Sequence, residues 1–202
     1  MPNLTTRAPR RAPILLAATT LIAVAGLAGC GSESIAQTEG PSAISTRSVN
    51  AQLESDLKIV RQATSKYHSF ARAQADDYTF LFMDMCMVDE SPEREGGMGF
   101  HYVNTNLLGG SLPDITKPQA LLYEPASNGS LKLVAVEYVV PVDQWTGSAP
   151  PRLLGQEMKA NSFGLYALHV WLYKENPKGM FENWNPTVSC QYASPAIRGG
   201  EF

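Results

Sequence analysis

The segment from Leu165 to Cys190 constrains the fold more strongly than any other part of the chain. Apolar and aromatic residues alternate with a period of two through its first half, which is typical of a β-strand with side chains on two faces. His169 stands between Ala167 and Trp171 on one of these faces, where an imidazole needs a polar partner. Two Asn-Pro pairs then break the chain before Cys190. We therefore expect a sheet built around this strand, with His169 in a candidate site.

Residues 1–29 predict a targeting segment that precedes the folded protein. The segment has three arginines, then an apolar stretch rich in alanine, and it is followed by Cys30 in the sequence Leu27-Ala28-Gly29-Cys30. This order resembles the signal peptide and lipobox of a bacterial lipoprotein. The resemblance implies cleavage before Cys30, lipid such as palmitate on that cysteine, and an anchor in the cell membrane or the outer membrane on its extracytoplasmic side. The alternative is an ordinary signal peptide with an unrelated cysteine at this place.

The cysteine count then predicts one disulfide. The chain has three cysteines, and lipidation would use Cys30, which leaves Cys86 and Cys190 as a pair outside the cytoplasm. A bond between them would close a loop of about a hundred residues and contribute ~4 kcal/mol in the chain-entropy description. Two buried free thiols are the alternative.

The charge of the chain argues against nucleic acid as a partner. The formal net charge is −3, and removal of residues 1–29 takes away three arginines and no acidic residue, so the mature protein is more acidic. We find no basic stripe that would attract a phosphate backbone. The one partner that we predict is the membrane, through the lipid; the sequence names no ligand or protein partner.

Composition divides the mature chain into a tether and one domain. Residues 30–50 hold the lipidated cysteine and a run rich in serine, threonine and glycine, which predicts a flexible tether. For residues 51–202 we predict a single α+β domain, because this length suits one hydrophobic core. Apolar residues at spacings of three and four predict one long N-terminal amphipathic helix over 50–76, with Asn50 as its N-cap. We expect this helix to pack on an antiparallel sheet of about five strands.

An Asn-Gly pair at 128–129 predicts a β-hairpin over residues 119–140, because it lies between two apolar runs. Glu137 has apolar neighbours on its own face of the second strand, so we expect it to be buried. A buried carboxylate needs a cation, a metal ion or a hydrogen-bond donor. Its best partners in the sequence are His169 and His101, which begins another short strand.

Three methionines alternate along a further predicted strand over residues 78–88, at positions Met83, Met85 and Met87. On a regular strand they would share one face, and clustered thioethers outside the cytoplasm can bind Cu(I). Methionine is also a common filler of hydrophobic cores, and we favour that interpretation.

Four motifs are spread along the mature chain: Gly97-Met98-Gly99-Phe100-His101-Tyr102-Val103-Asn104, Leu122-Tyr123-Glu124-Pro125, Val136-Glu137-Tyr138, and Leu168-His169-Val170-Trp171 with the Asn-Pro pairs that follow it. Together they resemble an uncharacterised group of secreted bacterial proteins, over most of the chain from residue 51. That group has no established activity. The resemblance therefore implies a shared domain and no catalytic residue.

Three functions fit these observations. The first, which we favour at this stage, is a lipid-anchored extracytoplasmic protein with a non-catalytic binding or scaffold domain. The second is a metal-binding protein or metalloenzyme that uses His101, His169 and Glu137, because two imidazoles and a carboxylate can form an open site for zinc, iron or copper. The simpler interpretation of both histidines is a hydrogen-bonded place in the core. The third is a hydrolase, but the chain has no Gly-x-Ser-x-Gly motif.

Overall fold

The computed structural model of the protein describes residues 41–193. The predicted signal peptide, the lipidation of Cys30 and the first part of the predicted tether lie outside the described residues. Within them the chain combines a helical segment, an antiparallel sheet and a disulfide. The α+β class is confirmed.

The helical segment has three parts: helix α1 (Pro41–Thr64), a 3-10 turn (Ser65–His68) and helix α2 (Phe70–Ala75). Helix α1 begins inside the segment predicted as a tether, and it begins at a proline, which suits the first turn of a helix. Ser69 has an extended backbone and interrupts the single helix that we predicted for this region. No helix in the described part of the chain is long and apolar enough to cross a membrane.

Eight strands follow in the described chain: β1 (Phe80–Val88), β2 (Gly97–Val103), β3 (Ala120–Pro125), β4 (Leu131–Pro141), β5 (Arg152–Leu153), β6 (Gln156–Glu157), β7 (Lys159–Ala160) and β8 (Leu165–Val170). Six of them form an antiparallel sheet in the order β1-β2-β3-β4-β8-β7, and β5 and β6 form a separate pair. We expected about five strands. The additional ones lie in a region predicted as a loop, because strands of two residues are too short to show alternation.

Strands β3 and β4 are joined by the predicted turn at Asn128-Gly129. Gly129 has a φ of 80°, which glycine adopts without strain. The side chain of Asn128 accepts a hydrogen bond from the backbone N–H of Ser130 at 3.1 Å. At the other end of the hairpin Ala120 pairs with Glu137. The hairpin prediction is confirmed.

Both faces of the sheet carry buried side chains. The helical segment packs against one face, where Val60 and Tyr67 belong to the same apolar cluster as Tyr123 and Tyr138. The hydroxyl of Tyr123 donates to the carbonyl of Tyr67 at 2.8 Å. The opposite face has a second, smaller apolar cluster, which includes Met87, Met98, Leu122, Val134 and Trp171. The candidate site lies on this second face.

Strand β1 has a long bulge at the edge of the sheet. Its pairing with β2 is interrupted between Leu81 and Cys86. Within the bulge Met83 and Asp84 have φ angles of 60° and 51°, a region that few residues with a side chain adopt. Met83 is 44% exposed whereas Met87 is 3% exposed. The expectation that the methionines of this strand share one face is wrong, because the bulge breaks the alternation.

Cys86 and Cys190 form a disulfide, as predicted. The bond joins the end of β1 to the segment that follows β8, across 104 residues of sequence. The same segment is also held to β2, because Asn185 and Gly97 exchange two backbone hydrogen bonds of 3.0 and 3.1 Å. The edge of the sheet and the C-terminal segment are therefore connected both covalently and by hydrogen bonds.

Candidate metal centre

Strands β4 and β8 place Glu137 and His169 directly opposite each other. The side chains of a directly opposite pair lie on the same face of a sheet. His169 Nε2 lies 3.5 Å from Glu137 Oε1. The polar group that faces His169 is therefore Glu137, one strand away.

His101 approaches the same carboxylate from strand β2. Strand β3 lies between β2 and β4, and the residue of β3 that pairs with Glu137 is Ala120. The small side chain of Ala120 leaves room for His101 to reach past it. His101 Nε2 lies 3.8 Å from Glu137 Oε2, and the centroids of the His101 and His169 rings are 5.8 Å apart.

His101, Glu137 and His169 form one compact cluster, which we call the triad. One ligand atom from each residue lies within 4.8 Å of those from the other two. The three residues are 4%, 8% and 3% exposed, respectively. The structure therefore brings together all three residues that the sequence analysis named as candidate metal ligands.

The triad leaves several buried nitrogen atoms without hydrogen bonds. His101 Nδ1, His169 Nδ1 and His169 Nε2 are buried and have no hydrogen-bond partner among the described residues. A neutral imidazole has one donor and one acceptor nitrogen, and each unsatisfied buried group costs about 1–3 kcal/mol. The structure therefore does not give both histidines the complete set of hydrogen bonds that the core interpretation expects. These nitrogens are available as ligand atoms.

Burial shifts the pKa values of all three groups toward their neutral forms. It raises the pKa of Glu137 to about 8. It lowers the pKa of His169 to about 4, and burial together with the nearby His169 lowers the pKa of His101 to about 3. Contacts with the Gly99 backbone and the Asn183 side chain oppose the two histidine shifts, without giving any of the unsatisfied nitrogens a well-oriented hydrogen bond. At neutral pH both imidazoles are therefore in their neutral form, in which one ring nitrogen has a lone pair available to a metal ion.

A cavity of about 580 Å³ opens beside the triad, and all three triad residues line it. Most of its other lining residues are apolar, among them Phe80, Phe82, Met98, Phe163, Leu165 and Trp184. The rings of Phe82 and Phe163 contact each other nearly at right angles, with centroids 5.1 Å apart. This volume is typical of a site for a small organic molecule.

Other polar residues that the sequence made conspicuous lie elsewhere. Glu124 of β3 accepts two hydrogen bonds of 2.7 Å from Lys174 and one from the backbone of Ser189, so its role is structural. His68 is exposed, and its ring packs edge-on against Tyr173 with centroids 4.6 Å apart. Neither residue lines the cavity.

The walls of the cavity are formed by residues that the sequence did not identify. Phe82 reaches it from the bulge of β1, Phe163 from the turn before β8, and Asn183 and Trp184 from the segment after β8. These residues come from three distant parts of the chain and follow no shared period. The available signal was the aromatic character of Phe82, Phe163 and Trp184 in segments that lack a core-facing pattern, which by itself does not indicate a cavity.

The triad has the donor set of an open metal centre. Two imidazole nitrogens and one carboxylate suit zinc or ferrous iron and leave coordination positions for water or a ligand. An ion held this way acts as a Lewis acid or lowers the pKa of a bound water. No family model, curated protein or solved structure matches the chain. The function therefore has to be argued from the site itself.

Proposed function

We propose that this protein is a metalloprotein, in which His101, Glu137 and His169 hold one divalent transition-metal ion and present it to a ligand in the adjacent cavity. The observation that carries the proposal is the convergence of two buried imidazoles and a buried carboxylate, whose ligand atoms lie within 4.8 Å of one another, with three imidazole nitrogens that lack a well-oriented hydrogen bond. A protein core rarely contains such groups unless they serve a function. A scaffold with no ligand would gain from replacing the triad with apolar residues.

The charges of the triad support a bound cation. Burial disfavours an isolated carboxylate, and a divalent ion compensates the charge of Glu137 while it bonds to both imidazoles. The cavity supplies the other requirement of a functional centre, which is access for a ligand to the open coordination positions. With zinc or iron bound, the ion would polarise a coordinated oxygen; the protein's own residues would fix its position and enclose the ligand in apolar walls.

The test is the metal content of the full-length protein, purified in detergent without added metal, by elemental analysis. We expect about one equivalent of a transition metal in the wild type and in His68→Ala, which removes the one histidine outside the triad. We expect His101→Ala and His169→Ala to lose nearly all of it. If the wild type takes up no metal even after incubation with zinc, or if both triad variants keep full metal content, the proposal is wrong.

We also propose that the protein is anchored to the membrane on its extracytoplasmic side through lipid on Cys30. The order of basic, apolar and small residues before Cys30 supports this, and the Cys86–Cys190 bond is consistent with an oxidising compartment. Labelled palmitate should be incorporated into the wild type and not into Cys30→Ala. Labelling of both proteins, or of neither, would contradict the anchor.

We further propose that helix α1 is amphipathic and covers the sheet with its apolar face. Leu53, Leu57 and Val60 pack against the core cluster on the side of Tyr123, while Lys58 is exposed. The spacing of the packed residues is that of one helix face. Leu57→Glu should therefore destabilise the fold, and the charge reversal Lys58→Glu should not; equal midpoints of the two variants in urea would refute the assignment.

A further inference from the structure

The cavity beside the triad is mainly apolar, which restricts what it can bind. Its aromatic walls come from three separate parts of the chain, and its polar lining residues beyond the triad are Lys159, Asn161, Ser162 and Asn183. Water gains few hydrogen bonds in such a space. The lining therefore favours a ligand whose body is hydrocarbon, and the volume of about 580 Å³ accommodates a small organic molecule.

The charge of the metal-loaded triad indicates the charge of the ligand group that would coordinate the ion. A divalent ion with one carboxylate and two neutral imidazoles has a net charge of +1. This charge lies among residues that are less than a tenth exposed, where an uncompensated charge is costly. Glu137 is the one acidic residue among those that line the cavity. A ligand with a single negative charge would neutralise the centre, whereas a neutral ligand would leave the charge and a dianion would reverse it.

The lysine that lines the cavity does not change this conclusion. The side chain of Lys159 is 65% exposed, and its ammonium group lies 3.9 Å from the carboxylate of Glu182. Its charge is therefore hydrated and partly compensated outside the cavity. It adds a positive charge near the mouth of the cavity, which favours the entry of an anion over that of a cation.

We propose that the cavity binds an apolar monocarboxylate, whose carboxylate coordinates the metal ion and whose hydrocarbon tail lies among the apolar walls. This inference rests on the proposed function, because the carboxylate is bound by the ion that the triad holds. The inference adds the chemical class of the ligand to the proposed metal centre. This class has two properties: a single negative charge on an oxygen donor, and a hydrocarbon body.

The experiment uses the full-length protein in phosphatidylcholine nanodiscs, with empty nanodiscs as the blank for partition into lipid. A calorimetric titration with zinc comes first and tests the proposed function alone. The zinc-loaded protein is then titrated with butanoate, hexanoate and octanoate, and with octanol as the neutral ligand of matched length. The metal-free protein is titrated with octanoate.

We expect affinity for the zinc-loaded protein to rise about fourfold for each added methylene, which is the ratio that corresponds to ~0.8 kcal/mol per buried methylene. We expect octanoate to bind at least tenfold more weakly without zinc, and octanol at least tenfold more weakly than octanoate. If zinc does not bind, the proposed function fails. If zinc binds but the carboxylates do not, or if octanol binds as well as octanoate, the inference about the ligand fails and the metal centre stands.

A variant in the cavity wall locates the tail. Ala160 lines the cavity from the edge strand β7 and is exposed, so a larger side chain at this position can enter the cavity without disturbing the core. Ala160→Trp should weaken octanoate binding at least tenfold and butanoate binding much less, and its zinc titration shows that the triad is intact. Ala71→Trp, an exposed position on helix α2 that does not line the cavity, is the matched control. If Ala160→Trp binds octanoate as tightly as the control does, the tail lies elsewhere and the inference is overturned.

Discussion

Replacement of Glu137 by glutamine should stabilise the metal-free protein at neutral pH. Burial raises the pKa of Glu137 from 4.5 to about 8, so between these pH values the folded protein holds a proton that the unfolded chain has lost. The free energy of unfolding of the metal-free wild type therefore falls as the pH rises through this range, by ~1.4 kcal/mol per pH unit. Glutamine has the same shape and does not ionise, so the variant avoids this loss.

The size of the effect follows from the same pKa. From pH 4.5 to pH 7 the loss in the wild type amounts to about 3 kcal/mol. The protonated carboxyl can direct its O–H toward the imidazole nitrogens of His169 and His101, which lie 3.5 and 3.8 Å away, and this contact reduces the advantage of glutamine. We therefore expect Glu137→Gln to be more stable than the wild type by ~1–3 kcal/mol at pH 7, and by much less at pH 5.

The assay is urea unfolding of both proteins in the presence of a chelator, at pH 5 and pH 7. The matched control is Glu124→Gln, which removes a carboxylate that is paired with Lys174 at 2.7 Å and should destabilise the protein. With zinc at a thousand times its dissociation constant the order should reverse, because the ion stabilises the wild type by ~4.1 kcal/mol, which exceeds the expected advantage of the variant, and binds the variant weakly. If Glu137→Gln is less stable than the wild type in chelator at pH 7, the carboxylate serves the fold and the reasoning is refuted.

Three further predictions concern the site and its supports. Zinc affinity should rise about tenfold per pH unit from pH 6.5 to pH 8, because zinc displaces one proton, that of Glu137, and both histidines are already neutral. Calorimetry that finds no proton release on zinc binding would contradict this expectation. Reduction of the Cys86–Cys190 bond should lower the free energy of unfolding by ~4 kcal/mol, and equal urea midpoints with and without reductant would exclude it. Arg61→Ala should cost ~0.5–1.5 kcal/mol, because Arg61 Nη1 donates to the carbonyl of Leu172 at 2.7 Å in a partly buried contact. Lys58 is also exposed, and no such hydrogen bond is seen for it among the described residues, so Lys58→Ala should change little; similar losses in both variants would refute this expectation.

Much of the triad could be predicted because alternation places two of its residues. Period-two alternation assigns His169 to a face of its strand, and the Asn-Gly turn predicts the hairpin in which Glu137 has apolar neighbours on its own face. The turn did not contain the exact register, because a bulge between Leu122 and Tyr123 shifts the pairing between the turn and Glu137. His101 could be named as a partner, but its approach across β3 depends on which strand lies between, and local patterns do not contain that information.

The cavity could not be predicted, because it is formed where regular patterns fail. Its wall at Phe82 depends on the bulge in β1, where Met83 and Asp84 adopt left-handed backbone angles that their residue types do not predict.

The start of helix α1 was missed for a different reason. The first residues for which exposure is described in α1 are exposed and have no apolar period, so nothing in their sequence distinguished a solvated helix from a tether.

The bulge of β1 has a consequence for association between copies of the protein. Among residues 41–193, strand β1 pairs on one side only, with β2, so its outer ladder of backbone groups could act as a template for the strand of another molecule. The interruption between Leu81 and Cys86, with Met83 and Asp84 in left-handed angles, leaves no long straight run of free donors and acceptors along that side. The irregularity that brings Phe82 to the cavity thereby also protects an exposed strand from fibril-like stacking.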